Sequence, residues 1–308
     1  MAQLIKLNDY ISRYEWNIYR YPTQFIRLKQ DNWKKLYQMW MDQKEDEEAL
    51  SAPEEEPLSF WSKLKTRIKR DNETEIEEPL TKEEILPLSE EGLKYYFLDK
   101  LYPFQLKWAT STVTDVSFIN PGYYHDSTLK FFLQRFPDIY LVMYNPVFQI
   151  KKAVIDGEII GISPIGIEIM SLLETKPHQS IIADGERTWV IQGDSEERTM
   201  INPLISLKRT EQIINNILLL EDIEFPIQKS VISRTNQIMF TREPYRTNLI
   251  DSSSFEKWFQ NKRKLLSPLK NQQLKVAELL LKHCATTSVK RPEWEDDDDS
   301  FYTQSEED

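Results

Sequence analysis

The sequence predicts an α/β fold, a mixed sheet flanked by helices and preceded by a helical N-terminal extension. Three observations predict it. Residues 153–174, AVIDGEIIGISPIGIEIMSLLE, read as two strongly apolar strands joined by a tight turn over Ser163–Gly166. So apolar a hairpin is expected at the centre of a sheet covered on both faces. Capped amphipathic helices lie on both sides of it in sequence, and short β-branched runs recur between residues 139 and 240.

Composition sets the bounds. Apolar residues make up 40% of the 308 and aromatic residues 12%, enough for a substantial core. The single cysteine, Cys284, excludes an intramolecular disulfide and a cysteine-based zinc cluster. Three scattered histidines, His125, His178 and His283, argue against a histidine-rich metal site. The start, MAQLIKLNDY, carries no signal-peptide core, and no run of 18 uncharged apolar residues occurs, so a soluble cytoplasmic protein is expected. The net charge of −11 is uneven: residues 51–88 carry −4 and residues 286–308 carry −7, while 1–50 and 89–285 are each neutral. The acidity belongs to a linker and a tail, and phosphate is not repelled by the core as a whole.

Four segments follow in order. Residues 1–50 read as an aromatic-rich helical extension, with Leu4, Ile5, Tyr10, Ile11, Tyr14 and Trp16 at roughly helical spacing, then Ile26, Leu28, Trp33, Leu36, Tyr37 and Trp40. Residues 51–79 form an acidic linker around a short basic amphipathic helix, LSFWSKLKTRIKR at 58–70. Residues 80–285 form the main domain. Within it, Thr81 with Glu84 makes a capping box, Ser89–Leu101 a helix, and Trp108–Phe118 a strand-like run. Asp126 caps a helix through Phe136, and strands follow at Ile139–Tyr144 and Val147–Ile150. Beyond the hairpin, Ser180–Ile182 and Thr188–Ile191 are strands around an Asp184-Gly185 turn. Asn202-Pro203 starts a helix to about Leu220, with the Asn side chain as cap and Pro at the first helical position. Pro226–Arg234 and Gln237–Phe240 supply the last strands, and Ser253 with Glu256 a capping box for another helix. Asn271–Cys284 is a final helix, and residues 286–308 have the composition of a disordered acidic tail.

Within the hairpin the polar positions stand out. Asp156 and Glu158 are two residues apart, so an extended strand turns both to one face. Two acids at the start of a buried strand can ligate a metal; they can also be exposed turn residues neutralised by Lys151 and Lys152. No glycine-rich phosphate loop and no Ser-His-Asp arrangement can be assembled.

Residues 89–265 resemble the nuclease-related domain (NERD) family, a branch of the PD-(D/E)XK nuclease-like superfamily with a restriction-endonuclease-like core. The features that carry the resemblance come in order. Glu91, followed by Leu98 and Leu101, is similar to the family's N-terminal glutamate helix. Asp156 and Glu158 sit where the family has its acidic strand, and Gly166 matches the glycine before the last catalytic strand. Trp189 matches the following tryptophan, and Asn202-Pro203 with Leu204 and Leu207 the asparagine-proline helix.

The resemblance implies a chemistry of one acid on the first strand and an E-x-K on the next. Two carboxylates hold Mg²⁺, and the lysine orients the nucleophile or stabilises developing negative charge. Counting from Gly166 puts Glu158 at the aspartate position, with Ser171 and Leu173 at the positions of the glutamate and the lysine. Serine is a poor ligand for a hard cation and leucine carries no charge. Glu174-Thr175-Lys176 is a literal E-x-K three residues late; an odd offset turns it to the opposite face, and Pro177 ends the strand.

The favoured expectation is therefore a nuclease-related domain with a degenerate catalytic motif, without a cofactor, that binds or scaffolds. The alternative is an active Mg²⁺-dependent DNA endonuclease with Glu158, Glu174 and Lys176 as catalytic residues and Glu91 supporting, the metal held by Glu158 and Asp156. Nucleic acid or protein are the expected partners, with peripheral membrane contact through residues 58–70 as a third option.

Overall fold

The computed structural model describes residues 1–50, 86–193 and 197–291. The basic helix expected at 58–70, the Thr81–Glu84 capping box and most of the acidic tail lie outside the described residues. Two compact units are present: residues 1–26 with 102 onward, and residues 27–101. Their division falls inside the segment expected to be one N-terminal extension.

The chain opens with a strand, β1 (Gln3–Leu7), all five residues of which are buried. This corrects the helix expected over Leu4 and Ile5. Short α1 (Arg13–Trp16) and long α2 (Tyr21–Leu50) follow, then α3 (Glu90–Trp108), which runs through Pro103 and beyond the expected end at Leu101. In the smaller unit, Trp33 packs on Phe97 at 5.2 Å, and the Trp40 indole donates to the Pro87 carbonyl at 2.6 Å. Of the strand-like run 108–118 only β2 (Asp115–Val116) is a strand. Helix α4 (Ser127–Arg135) begins where expected, because the Asp126 carboxylate accepts from the Thr128 and Leu129 amides, both at 2.9 Å.

The middle of the chain is β-rich. Strands β3 (Leu141–Tyr144), β4 (Val147–Ile150), β5 (Ala153–Asp156), β6 (Ile159–Ser163) and β7 (Gly166–Leu172) are followed by β8 (Ser180–Ile182), β9 (Thr188–Gln192) and β10 (Glu197–Ile201). After α5 (Pro203–Leu220) come β11 (Ile227–Ile232), β12 (Gln237–Met239) and β13 (Thr247–Ile250), then α6 (Phe255–Arg263), α7 (Asn271–Lys282) and β14 (Val289–Lys290). The main sheet has six strands in the order β1-β3-β6-β7-β11-β13. Its β3-β6-β7 centre is antiparallel, whereas β1, β11 and β13 join their neighbours in parallel. A four-stranded sheet, β10-β9-β8-β12, and the pairs β4-β5 and β14-β2 complete the described strands. The chain is thus a mixed α/β protein with helices flanking a large mixed sheet, as its sequence predicts.

The hairpin β6-β7 lies at the centre of that sheet. Its register sorts the side chains: Ile160, Ile162, Ile167, Ile169 and Ser171 share one face with Lys229, and Ile159, Glu168 and Met170 share the other with Ser230. Helices α5 and α7 cover the first face, and α4 and α6 the second. At the turn, Gly166 has φ +156°, and a Cβ there would stand 2.8 Å from the Pro226 carbonyl oxygen. Gly166→Ala is expected to lower stability by about 2 kcal/mol, read as a drop of several degrees in thermal unfolding; an unchanged Tm would contradict this packing.

Three further corrections concern chain ends and caps. The Ser253–Glu256 capping box is absent: Asp251 instead accepts from the Ser253 and Ser254 amides at 3.1 and 3.0 Å. Residues 286–291 belong to the fold through β14 and through Thr286, whose hydroxyl accepts from buried Lys6 at 3.0 Å. Strands β10 and β13 had no counterpart in the sequence reading. Among the described residues, no helix is long and apolar enough to cross a membrane.

Candidate functional site

The two acids at the hairpin entrance do not share one strand. Asp156 ends β5, which pairs with β4, and Glu158 precedes β6 of the main sheet. Gly157 makes the break: its amide donates to the Pro146 carbonyl at 2.8 Å, and a Cβ there would meet the Phe148 ring at 2.8 Å. Asp156 and Glu158 are therefore not alternate positions of one continuous strand, the premise on which a shared face was expected. Asp156 is exposed and its carbonyl accepts from Arg209 of α5 at 3.2 Å. The Glu158 amide donates to the Thr210 hydroxyl of α5 at 3.2 Å. Neither carboxylate forms an ion pair among the described residues; Lys151 and Lys152 make the β4-β5 turn instead.

Ile159 pairs with Met170, so one step further the register sets Glu158 against Ser171 on the α5 face. Cross-strand neighbours of this kind have Cβ atoms about 5 Å apart. Ser171 is 8% exposed. Leu173 follows just past the strand, its amide donating to the Ile232 carbonyl at 2.8 Å. At the hairpin end there is then one carboxylate, one hydroxyl and one aliphatic side chain. Among the described residues no group of three or more His, Cys, Asp and Glu side chains gathers as a metal cluster would. This donor set does not fit a hard divalent cation, which takes several oxygen ligands.

The late E-x-K lies beyond β7, which ends at Leu172. Glu174 accepts from the Arg234 amide at 3.1 Å and pairs with the Arg234 guanidinium at 2.7 Å. Lys176 is exposed, its carbonyl taken by Asn236 at 2.8 Å. Glu91 is exposed in the first turn of α3 and belongs to the smaller unit, whereas Glu158, Ser171 and Glu174 belong to the larger.

The sequence reading overlooked the charges that are buried beside the hairpin. On the α6 face Glu168, 7% exposed, accepts from the Ser230 hydroxyl at 2.6 Å and the Trp258 indole at 3.1 Å, and pairs with Lys262 at 2.7 Å. Burial, and then the nearby Glu168 carboxylate, push the Tyr140 phenol well above its ordinary range. On the α5 face Lys229, 4% exposed, pairs with Glu211. A lone acid in the apolar run GIEIMSL was the available signal, since a carboxylate there must find partners. Each of these charges faces its counter-charge, so the pairs act as structural fasteners of β7 and β11.

The other reactive side chains are dispersed. His125 ends a 3₁₀ helix, His178 lies in the turn before β8, and His283 follows α7 with its Nδ1 2.9 Å from the Leu279 carbonyl oxygen. Burial pushes the Cys284 thiol up to about 12, which keeps it protonated at neutral pH and a poor nucleophile.

No family model matches the sequence, and no solved structure matches it. Over 113 residues the chain is 36% identical to a Geobacillus stearothermophilus protein named RNA 2′,3′-cyclic phosphodiesterase. The match takes in 34% of this chain and 36% of that protein, so the chain spans about a third of the length of this relative.

Proposed function

We propose that the chain carries a nuclease-related, restriction-endonuclease-like domain whose hairpin has kept the architecture and lost the chemistry, so that it works by binding or scaffolding. The order β3, β6, β7, α5, β11, with the crossover helix returning to a parallel strand, supports the fold side of the reading. The single observation that carries the functional side is the hairpin register. Continued one step past the Ile159–Met170 pair, it sets Ser171, and no second carboxylate, across from Glu158. The late E-x-K offers no replacement, because Glu174 is held by Arg234 outside the strand. Calorimetric titration with Mg²⁺ and Mn²⁺ tests the point: no saturable site tighter than millimolar is expected. A tight site that disappears in Glu158→Ala would overturn the reading.

The partial relative supplies a second reading, hydrolysis of a 2′,3′-cyclic phosphate on RNA. Such a reaction calls for a general acid and a general base at the phosphorus, most often histidines. Here the three histidines lie on three separate elements. Incubating the protein with an oligoribonucleotide ending in a 2′,3′-cyclic phosphate separates the two readings. Turnover would favour the second, and an unchanged end the first.

A further inference from the structure

At the turn end of the hairpin, away from Glu158 and Ser171, the surface carries a cup of about 550 Å³. It lies between the last turn of α5 and the approach to β11, lined mainly by Leu218, Leu219, Ile223, Phe225 and Pro226. Leu219 and its neighbour Leu220 are 74% and 73% exposed, and Ile165 in the hairpin turn is 61% exposed. Pro226 links turn and cup, because its carbonyl accepts from the Ile167 amide at 2.8 Å. Leucines this exposed at a helix end, next to an apolar hollow, mark a surface that another molecule covers.

The charge around the cup says what kind of molecule. Glu221, Asp222 and Glu224 are all exposed, and none of them forms an ion pair among the described residues. Glu221 and Asp222 follow the C-terminus of an 18-residue helix whose last turn holds no basic residue. The negative end of the helix dipole already disfavours anions there, so the acids reinforce an uncompensated negative potential. Asp222 is also held at φ +51°, which fixes the turn that presents them. Helix α7 borders this edge, where the Gln272 side chain donates to the Glu224 carbonyl at 3.0 Å. The basic residue closest in sequence, Lys229, is buried in β11 and paired with Glu211 of α5.

We propose that this cup is a docking site for a basic amphipathic helix of a protein partner. A bulky apolar side chain of that helix fills the cup and covers Leu219 and Leu220. Its Lys and Arg residues pair with Glu221, Asp222 and Glu224. Apolar anchors in a groove with charged flanks are the usual grammar of helix recognition. The proposal deepens the reading of the domain as a binding module, but it does not depend on the chemistry of the hairpin. Nucleic acid cleavage would overturn that reading and leave the cup intact.

The test uses the full chain and a fluorescein-labelled helical peptide of Leu, Trp and Lys with one apolar face, followed by fluorescence anisotropy. Saturable binding that weakens between low and high salt is expected. The Leu219→Ser, Leu220→Ser double variant should weaken it by roughly tenfold or more, since two leucines lose their burial. Both side chains are exposed, so the variant should fold, and circular dichroism would verify this. Glu221→Gln, Asp222→Asn, Glu224→Gln should weaken binding and flatten its salt dependence. Equal binding of a scrambled peptide of the same composition, equal binding of a Glu-for-Lys peptide, or full affinity in the leucine variant would each overturn the proposal.

Discussion

Glu168→Ala is expected to destabilise the protein by about 3 kcal/mol, measured as a fall in the urea midpoint at unchanged m-value. The substitution removes a carboxylate that takes the Ser230 hydroxyl, the Trp258 indole and the Lys262 ammonium at once. It strands a buried hydroxyl and an indole N–H, and leaves Lys262 facing the sheet without its counter-charge. Glu168→Gln keeps an acceptor for the neutral donors and should cost about half as much. A loss below about 1 kcal/mol for the alanine variant would mean that water replaces the carboxylate, and that the cluster does not fasten α6 to the sheet.

Trp189→Ala should cost about 4 kcal/mol, because the side chain is wholly buried in β9 and the vacated volume cannot close. Trp189→Phe is the informative partner. The indole N–H finds no hydrogen-bond acceptor among the described residues, so phenylalanine removes a desolvated donor along with part of the volume. The two effects oppose each other, and the Phe variant should stay within about 1.5 kcal/mol of the parent. A loss as large as that of alanine would show that the indole N–H has a stabilising partner. Chemical denaturation of the three proteins side by side decides it.

What could be read in advance was what local chemistry dictates. Gly166 marks the turn because its backbone conformation and the Pro226 carbonyl leave no room for a Cβ. Asn202 and Asp126 announce α5 and α4 because each side chain satisfies amides two or three residues on. Long-range pairing was invisible. β1 is a strand because β3, some 140 residues later, receives it in parallel, and Lys6 is tolerated inside because Glu15 lies 2.6 Å away. Nothing in QLIKL alone favours that over a helix. Part of the site was legible in spacing: counting from Gly166 singles out Glu158 and Ser171, and the β6-β7 register, continued one step past Ile159 and Met170, sets these two on neighbouring strands. Spacing alone could not reveal that Gly157 turns Asp156 into another sheet, or that Glu168 has partners 60 to 95 residues further along.

The central claim is that the hairpin no longer performs metal-dependent cleavage. The direct measurement is incubation of the full chain with supercoiled plasmid, single-stranded DNA and RNA in Mg²⁺ and in Mn²⁺, resolved on gels beside Glu158→Ala. The account predicts intact substrates and no difference between the two proteins. Metal-dependent cutting by the parent that vanishes in Glu158→Ala would contradict it.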